Sequence, residues 1–170
     1  MKGDLGDMTN PRLYCVDSNV LIQSWTSYYS LELCPTYWDI FNDLIDEGRV
    51  FATMEVKREL EKNEDNLFRW AQARARLFRE ADESVQLALI DILRDYSRLV
   101  DSTRQRSIAD PWVIAHAKVA NATVVTKEQP SDSRKRIKIP DVCAQLGVPW
   151  IDDFQFCREV GIRFEAKRVE

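Results

Sequence analysis

Histidine is nearly absent from this sequence, which has one (His116) among 170 residues, and its four cysteines are widely spaced. No Cys-x-x-Cys pair occurs, so the ligand spacing of a zinc finger or zinc ribbon is missing. We find no signal peptide, and a chain of this length folds around its own core without disulfides, so we expect a reduced, cytoplasmic protein. No apolar run approaches the ~18 residues of a membrane-spanning helix.

An excess of positive charge is also missing. The 24 Lys and Arg residues against 28 Asp and Glu give a net charge of −4, which argues against a polycationic binder but leaves room for local basic patches. A hydrophobic content of 45% excludes an intrinsically disordered chain. At about 100–200 residues per domain, the length predicts one domain over residues 12–170, after a flexible N-terminal segment over 1–11.

Short apolar runs alternate with stretches of helical periodicity along most of the chain. We predict strands at 12–16, 50–53, 122–126 and 148–151, and helices at 35–47, 55–61, 109–120, 140–146 and from about 153. The stretch 66–100 lacks Gly and Pro and predicts two helices divided near Asp82–Ser84, as a helical insertion at about 66–101. The alternation predicts an α/β fold with a central, mostly parallel sheet of about four to five strands flanked by helices.

Acidic residues recur where the predicted strands end. Asp17 follows the first strand, Glu59 lies on the helix after the second, Asp110 opens a later helix, and Glu128 follows the strand 122–126. Ligands of parallel α/β sheets bind at this edge. Crowded carboxylates raise each other's pKa unless a cation neutralises them, and hard oxygen ligands suit Mg²⁺ or Mn²⁺. The cluster predicts a metal-assisted phosphodiesterase site.

Each acid also has an interpretation in which it plays no part in catalysis or metal binding. Asp17 and Asp110 are in positions where Asp commonly caps a helix, and Pro111 fits the first turn that follows. Glu59 and Glu128 fit solvated charges on a helix and in a loop. His116 lies inside a predicted helix with no matched partner for a nucleophilic triad, which favours a structural role.

Four segments in chain order resemble the motifs of the PIN-domain (VapC-like) ribonuclease superfamily, and the ending from Lys138 to Phe154 resembles a bacterial PIN-like group. The four segments read YCVDSNVLI at 14–22, FATMEVKREL at 51–60, IADPWVIA at 108–115 and VVTKE at 124–128. Each motif is short and degenerate, but their conjunction in this order across residues 13–151 is specific. The resemblance implies a three-layer PIN-like α/β fold.

Carried over residue by residue, the resemblance implies a set of site residues. Asp17, Glu59 and Asp110 match the three acids that hold Mg²⁺ or Mn²⁺, and Glu128 matches a more variable fourth acid that is usually Asp. The hydroxyl positions that support the site match Ser18 and Thr126, while Asn19 matches a polar turn residue that fixes the loop.

The function implied by the resemblance is metal-dependent hydrolysis of RNA, by the toxin component of a bacterial type II toxin–antitoxin system. An antitoxin protein and a homodimer are then expected partners. One alternative is a catalytically weak PIN-like module that binds RNA or protein. Another is a small α/β phosphatase, against which Asn19 weighs, because it occupies the second Asp position of an Asp-x-Asp pair.

The densest run of basic residues follows Glu128 and supplies the expected contacts to the RNA backbone or to an acidic partner: Arg134, Lys135, Arg136 and Lys138. A second group, from Arg69 to Arg79, is expected along one helix as a solvated charged face. Trp38, Phe41 and Trp112 are expected to pack in the core. For Trp25, Tyr28 and Tyr29 we favour the core over an exposed partner surface.

Overall fold

The computed structural model describes residues 10–63, 65–99, 108–131 and 137–168. In these ranges the strands are β1 (Tyr14–Val16), β2 (Val50–Thr53), β3 (Phe78–Arg79), β4 (Thr123–Val125) and β5 (Trp150–Ile151). The α-helices there are α1 (Ser18–Gln23), α2 (Pro35–Asp46), α3 (Met54–Glu61), α4 (Asn66–Gln72), α5 (Glu83–Asp95), α6 (Asp110–Ala120), α7 (Ile139–Leu146) and α8 (Asp153–Glu159). The predicted flexible segment 1–11 lies outside the described residues, apart from its last two.

The five strands form one sheet in the order β3-β2-β1-β4-β5, and every neighbouring pair is parallel. All residues of β1, β2 and β4 are buried, as expected for a parallel sheet covered by helices on its faces. The predicted α/β class is thereby confirmed. The strand order reverses between β1 and β4, and this is the point where α/β sheets open a crevice at their carboxyl ends.

Side chains at the helix ends explain why most predicted elements are found within one or two residues of their expected bounds. Four helices begin at a residue whose side-chain oxygen accepts a backbone N–H three positions on: Thr53 for α3, Asp65 for α4, Asp82 for α5 and Asp152 for α8. Gly48 follows α2 and Gly147 follows α7, both with a positive φ that a side chain disfavours.

The segment predicted as a helical insertion differs from the expectation. Asp82 does begin the second helix, but β3 and a short 3₁₀ turn (Ala75–Leu77) interrupt the first. Phe78 pairs with Ala52 and Arg79 with Thr53, so the segment adds an edge strand to the sheet. Pairing with β2 outweighs the helix propensity of these residues. The prediction that Arg69 to Arg79 share one helix is therefore wrong.

The capping residue of α5, Asp82, allows a test of where this helix begins. Asp82→Ala removes the acceptor of the Val85 N–H, a bond of 2.9 Å. We expect the free energy of unfolding to fall by about 1 kcal/mol, measured by urea denaturation with an unchanged m value. Glu80→Ala, at an exposed neighbouring position, is the matched control. Equal stability of the two variants would contradict the capping role.

Candidate active site

Asp17 and Thr126 are the first residues after β1 and β4, and the ladder of the sheet positions both. The Asp17 N–H donates to Val125 O at 3.0 Å, and the Thr126 N–H donates to Ile151 O at 3.0 Å. The Thr126 hydroxyl then donates to Asp17 Oδ2 at 3.0 Å. Both residues are buried, so this carboxylate is fixed at the reversal point of the strand order.

Ser18 connects Asp17 with Glu59 of α3. Its hydroxyl lies 2.5 Å from Glu59 Oε2 and 3.4 Å from Asp17 Oδ1. A hydroxyl has one proton to donate, and the shorter contact assigns that proton to Glu59. The alternative of Glu59 as a freely solvated charge is therefore wrong, because its carboxylate is bonded at the site.

Asn19 and Glu128 hold the chain that leaves β4. The Asn19 Oδ1 accepts the N–H of Lys127 at 3.1 Å, and the Thr126 hydroxyl accepts that of Glu128 at 3.2 Å. The Glu128 carboxylate accepts the N–H of Ile139, the first residue of α7, at 3.0 Å. Glu128 therefore connects the end of β4 with the start of α7, and its carboxylate is not simply solvated.

The structure does not support the interpretation of Asp17 and Asp110 as helix caps. Asp17 is at the N-cap position of α1, but its side chain makes no capping bond there. Ala109 is at the N-cap position of α6, so Asp110 is the first residue inside that helix, with Pro111 second. Asp110 is buried, and α6 packs against β1.

The pKa of Asp17 reflects its burial and the carboxylates near it. Burial raises the pKa of Asp17 to about 7, and the charges of Glu128 and Glu59 act in the same direction. The hydrogen bonds from the Thr126 hydroxyl and from the backbone N–H of Ser18 lower this pKa only in part. An ordinary Asp ionises near 3.8, so the fold keeps a carboxylate where its negative charge is unfavourable.

The donor set determines which ion this site suits. The four acids predicted from the sequence, Asp17, Glu59, Asp110 and Glu128, have only hard oxygen atoms as potential ligands, and such atoms suit Mg²⁺ or Mn²⁺. Within the ranges that the structure describes, no three His, Cys, Asp or Glu side chains already surround one point as a metal site. A cation near Asp17 would offset the burial and the carboxylate repulsion that raise its pKa. The chemistry of the residues thus fits a divalent ion.

His116 lies buried in α6, as the sequence indicated. Burial lowers its pKa, against an opposing effect from the charge of Glu55. Its Nε2 has no hydrogen-bond partner among the described residues. A buried, neutral imidazole in the middle of a helix supports the structural interpretation over a nucleophilic role.

The basic run after Glu128 is only partly within the described residues. Arg134, Lys135 and Arg136 lie outside them. Lys138 precedes α7, and its backbone N–H donates to Asp141 Oδ2 at 2.9 Å.

Sequence reasoning missed a buried ion pair beside the site. Lys127 Nζ lies 2.8 Å from Asp153 Oδ1, and the side chain of Asp153 is only 1% exposed. Both residues lie just beyond the carboxyl end of a strand, because Lys127 comes two residues after β4 and Asp153 two residues after β5. An inspection of all charged residues at the strand ends, rather than of acids alone, would have found this pair.

Comparison with solved structures defines the class of fold. VapBC2 from Rickettsia felis, determined bound to a DNA fragment from its promoter, matches at 12% identity over 82% of this chain and 98% of that chain, with a TM-score of 0.50. VapBC-1 from nontypeable Haemophilus influenzae matches at 15% identity over 82% and 97%, also with a TM-score of 0.50. At these identities the likeness concerns the fold, and it confirms a PIN-like α/β fold.

Residues 14–164 match the model of DUF4411, a domain of unknown function, and the chain belongs to this family. No curated protein matches the sequence. Across the described residues, no helix combines the length and the apolar character needed to cross a membrane.

The raised pKa of Asp17 predicts a stability that depends on pH. Between about pH 4 and 7 the native state holds a proton that the unfolded state has lost, so the free energy of unfolding falls as pH rises. Asp17→Asn removes this slope. At pH 8 we expect it to raise stability by roughly 2 kcal/mol, or the melting temperature by about 4–8 °C, and at pH 4 to change little.

Thermal melts at both pH values check this expectation. Asp43→Asn, at an exposed position on α2, is the control and should behave as wild type throughout. An Asp17→Asn protein that is less stable than wild type at pH 8 would contradict the unfavourable charge at this position.

Proposed function

We propose that this protein is a metal-dependent ribonuclease that hydrolyses RNA phosphodiester bonds, and the toxin component of a bacterial type II toxin–antitoxin pair. The observation that carries the proposal is the position of Asp17. Its carboxylate is held by the Thr126 hydroxyl and by the backbone N–H of Ser18 at the reversal point of the strand order, with Glu59 and Glu128 near enough to raise its pKa.

Asp17, Glu59 and Asp110 are the residues proposed to hold Mg²⁺ or Mn²⁺. When bound, such an ion supplies an activated water and neutralises the charge that develops on the phosphate. The chain's own contribution is orientation. The Thr126 hydroxyl donates to one oxygen of Asp17, and the Ser18 hydroxyl donates to Glu59. These hydrogen bonds restrict both carboxylates to one orientation, as outer-shell partners of a metal site do.

The substrate is a polyanion, and an acidic site needs flanking cations to hold it. Lys138, with Arg134, Lys135 and Arg136 before it in the sequence, is proposed to contact the RNA backbone. These residues follow Glu128, whose carboxylate is bonded to the start of α7.

The toxin assignment is supported by the motifs and by the PIN-like fold shared with the two VapBC structures. It implies a protein antitoxin as partner, and a homodimer is a further expected state. The second candidate function is a catalytically weak PIN-like module, and the experiment below separates the two.

Cleavage of a panel of single-stranded RNAs with Mg²⁺ or Mn²⁺ tests the activity. We expect Asp17→Asn and Glu59→Gln each to lower the activity by at least about 100-fold. Removing an outer-shell partner of a metal already costs up to about 100-fold, and these two residues are proposed as direct ligands. Glu61→Gln, at the exposed end of the same helix, is the matched control and should stay within twofold.

Two outcomes would overturn this assignment. Equal cleavage by wild type and Asp17→Asn would identify a contaminating nuclease. No cleavage by a folded wild-type protein would favour the binding module.

Metal binding has a readout that does not need activity. Because a ligand that binds only the native state stabilises it, Mn²⁺ should raise the melting temperature of wild type at pH 8. Asp17→Asn should show less than half of this increase, and Asp43→Asn the full increase. An equal increase in wild type and Asp17→Asn would place the ion elsewhere.

A further inference from the structure

Two aromatic rings are exposed next to the candidate site. Tyr28 is 50% exposed and Phe154 is 46% exposed, with ring centroids 5.9 Å apart at an interplanar angle of 72°. We call this pair the aromatic shelf. By contrast Tyr29, the next residue after Tyr28, is buried. The expected core position is therefore wrong for Tyr28 and right for Tyr29.

The fold brings the shelf to the carboxyl edge of the sheet. Tyr28 is the last residue of a π-helical turn, Ser24–Tyr28, that continues α1 directly after the segment opened by Asp17. Phe154 is the second residue of α8 and follows β5 closely. π-Helical turns are rare and occur frequently at functional sites, and this one ends at an exposed ring.

Lys127 ties the shelf to the carboxylate cluster. Its Nζ lies 4.1 Å from the ring centroid of Tyr28 and 5.1 Å from that of Phe154. Its backbone N–H is bonded to Asn19, and it stands between Thr126 and Glu128 in the chain. One residue therefore contacts both rings and adjoins two members of the site.

The ammonium of Lys127 is already neutralised in part by Asp153 at 2.8 Å, and its side chain is only 10% exposed. This buried ion pair holds the cation under the rings. The exposed ring surface faces solvent, where apolar area is unfavourable.

An unpaired nucleobase is the partner whose chemistry fits this arrangement. Bases stack on aromatic side chains, and both rings are exposed beside the carboxylates at which the RNA chain is proposed to be cut. We propose that the aromatic shelf stacks an unpaired base of single-stranded RNA next to the cleavage site, an inference that rests on the proposed ribonuclease function for the identity of its ligand. Duplex RNA, whose bases are already stacked, does not fit the shelf.

Binding measured without turnover tests this proposal. In the Asp17→Asn background, fluorescence anisotropy with a labelled mixed-sequence single-stranded RNA compares Tyr28→Leu and Phe154→Leu with the parent. Leucine keeps apolar area but removes the ring. We expect each change to weaken binding roughly tenfold, since stacking on one ring contributes about 1–3 kcal/mol.

Two variants serve as controls. Tyr28→Phe keeps the ring and should bind within twofold of the parent. Leu87→Ala removes a similarly exposed apolar side chain, 58% exposed on α5, and should have no effect. Unlabelled duplex RNA of the same sequence should compete poorly with the single strand.

Each outcome decides between the alternatives. Leucine variants that bind as tightly as the parent would overturn the proposal and assign the rings to a protein interface. A parent that does not bind single-stranded RNA, or that binds duplex equally well, would also overturn it. Ring-dependent binding by a protein whose wild type cleaves no RNA would leave the shelf in place and refute the ribonuclease function alone.

Discussion

The hydrogen bond between Thr126 and the buried carboxylate of Asp17 is the contact on which the site depends. It joins the ends of β1 and β4, the two strands between which the strand order reverses. Both backbones are held by hydrogen bonds of the sheet ladder, so the carboxylate takes its position from the sheet. Ser18 then extends the same fixed geometry to Glu59.

This arrangement opposes the stability of the folded protein. A core position normally takes an apolar residue or a paired charge, yet burial raises the pKa of Asp17 to about 7 with further carboxylates nearby. Such local inconsistencies between sequence and stability are expected at functional sites. The rest of the sheet, lined by apolar residues such as Val16, Phe51 and Val124, shows no comparable conflict.

Most of the fold was predictable because local signals agree with it. Apolar runs marked β1, β2 and β4, and caps such as Asp82 and Asp152 marked helix starts. One exception was β3, a two-residue strand that is extended where it pairs with β2. Pairing across distant segments leaves no local pattern, so neither propensity nor periodicity indicates it.

The proximity of Asp17, Glu59 and Glu128 was predictable, because the carboxyl ends of parallel strands share one edge. The hydrogen bonds that these acids make were not predictable. The bond of Glu128 to the first N–H of α7 depends on a crossover that sequence spacing does not describe. The exposure of Tyr28 likewise follows from a π-helical turn, in which one extra residue per turn changes the side that a ring faces. The roles of the individual acids remain predictions.

Asp17 and Thr126 are 109 positions apart in the chain, and this distance has a consequence for biosynthesis. Asp17, Ser18 and Glu59 leave the ribosome early, but their geometry is completed only when β4 follows and pairs with β1 at Tyr14↔Thr123. Parallel pairing over such a distance is slow to form compared with local helices. A nascent chain that has not yet reached Thr126 therefore carries Asp17, Glu59 and Asp110 without the hydrogen bond that fixes the Asp17 carboxylate, and this bond forms only after β4 has been synthesised.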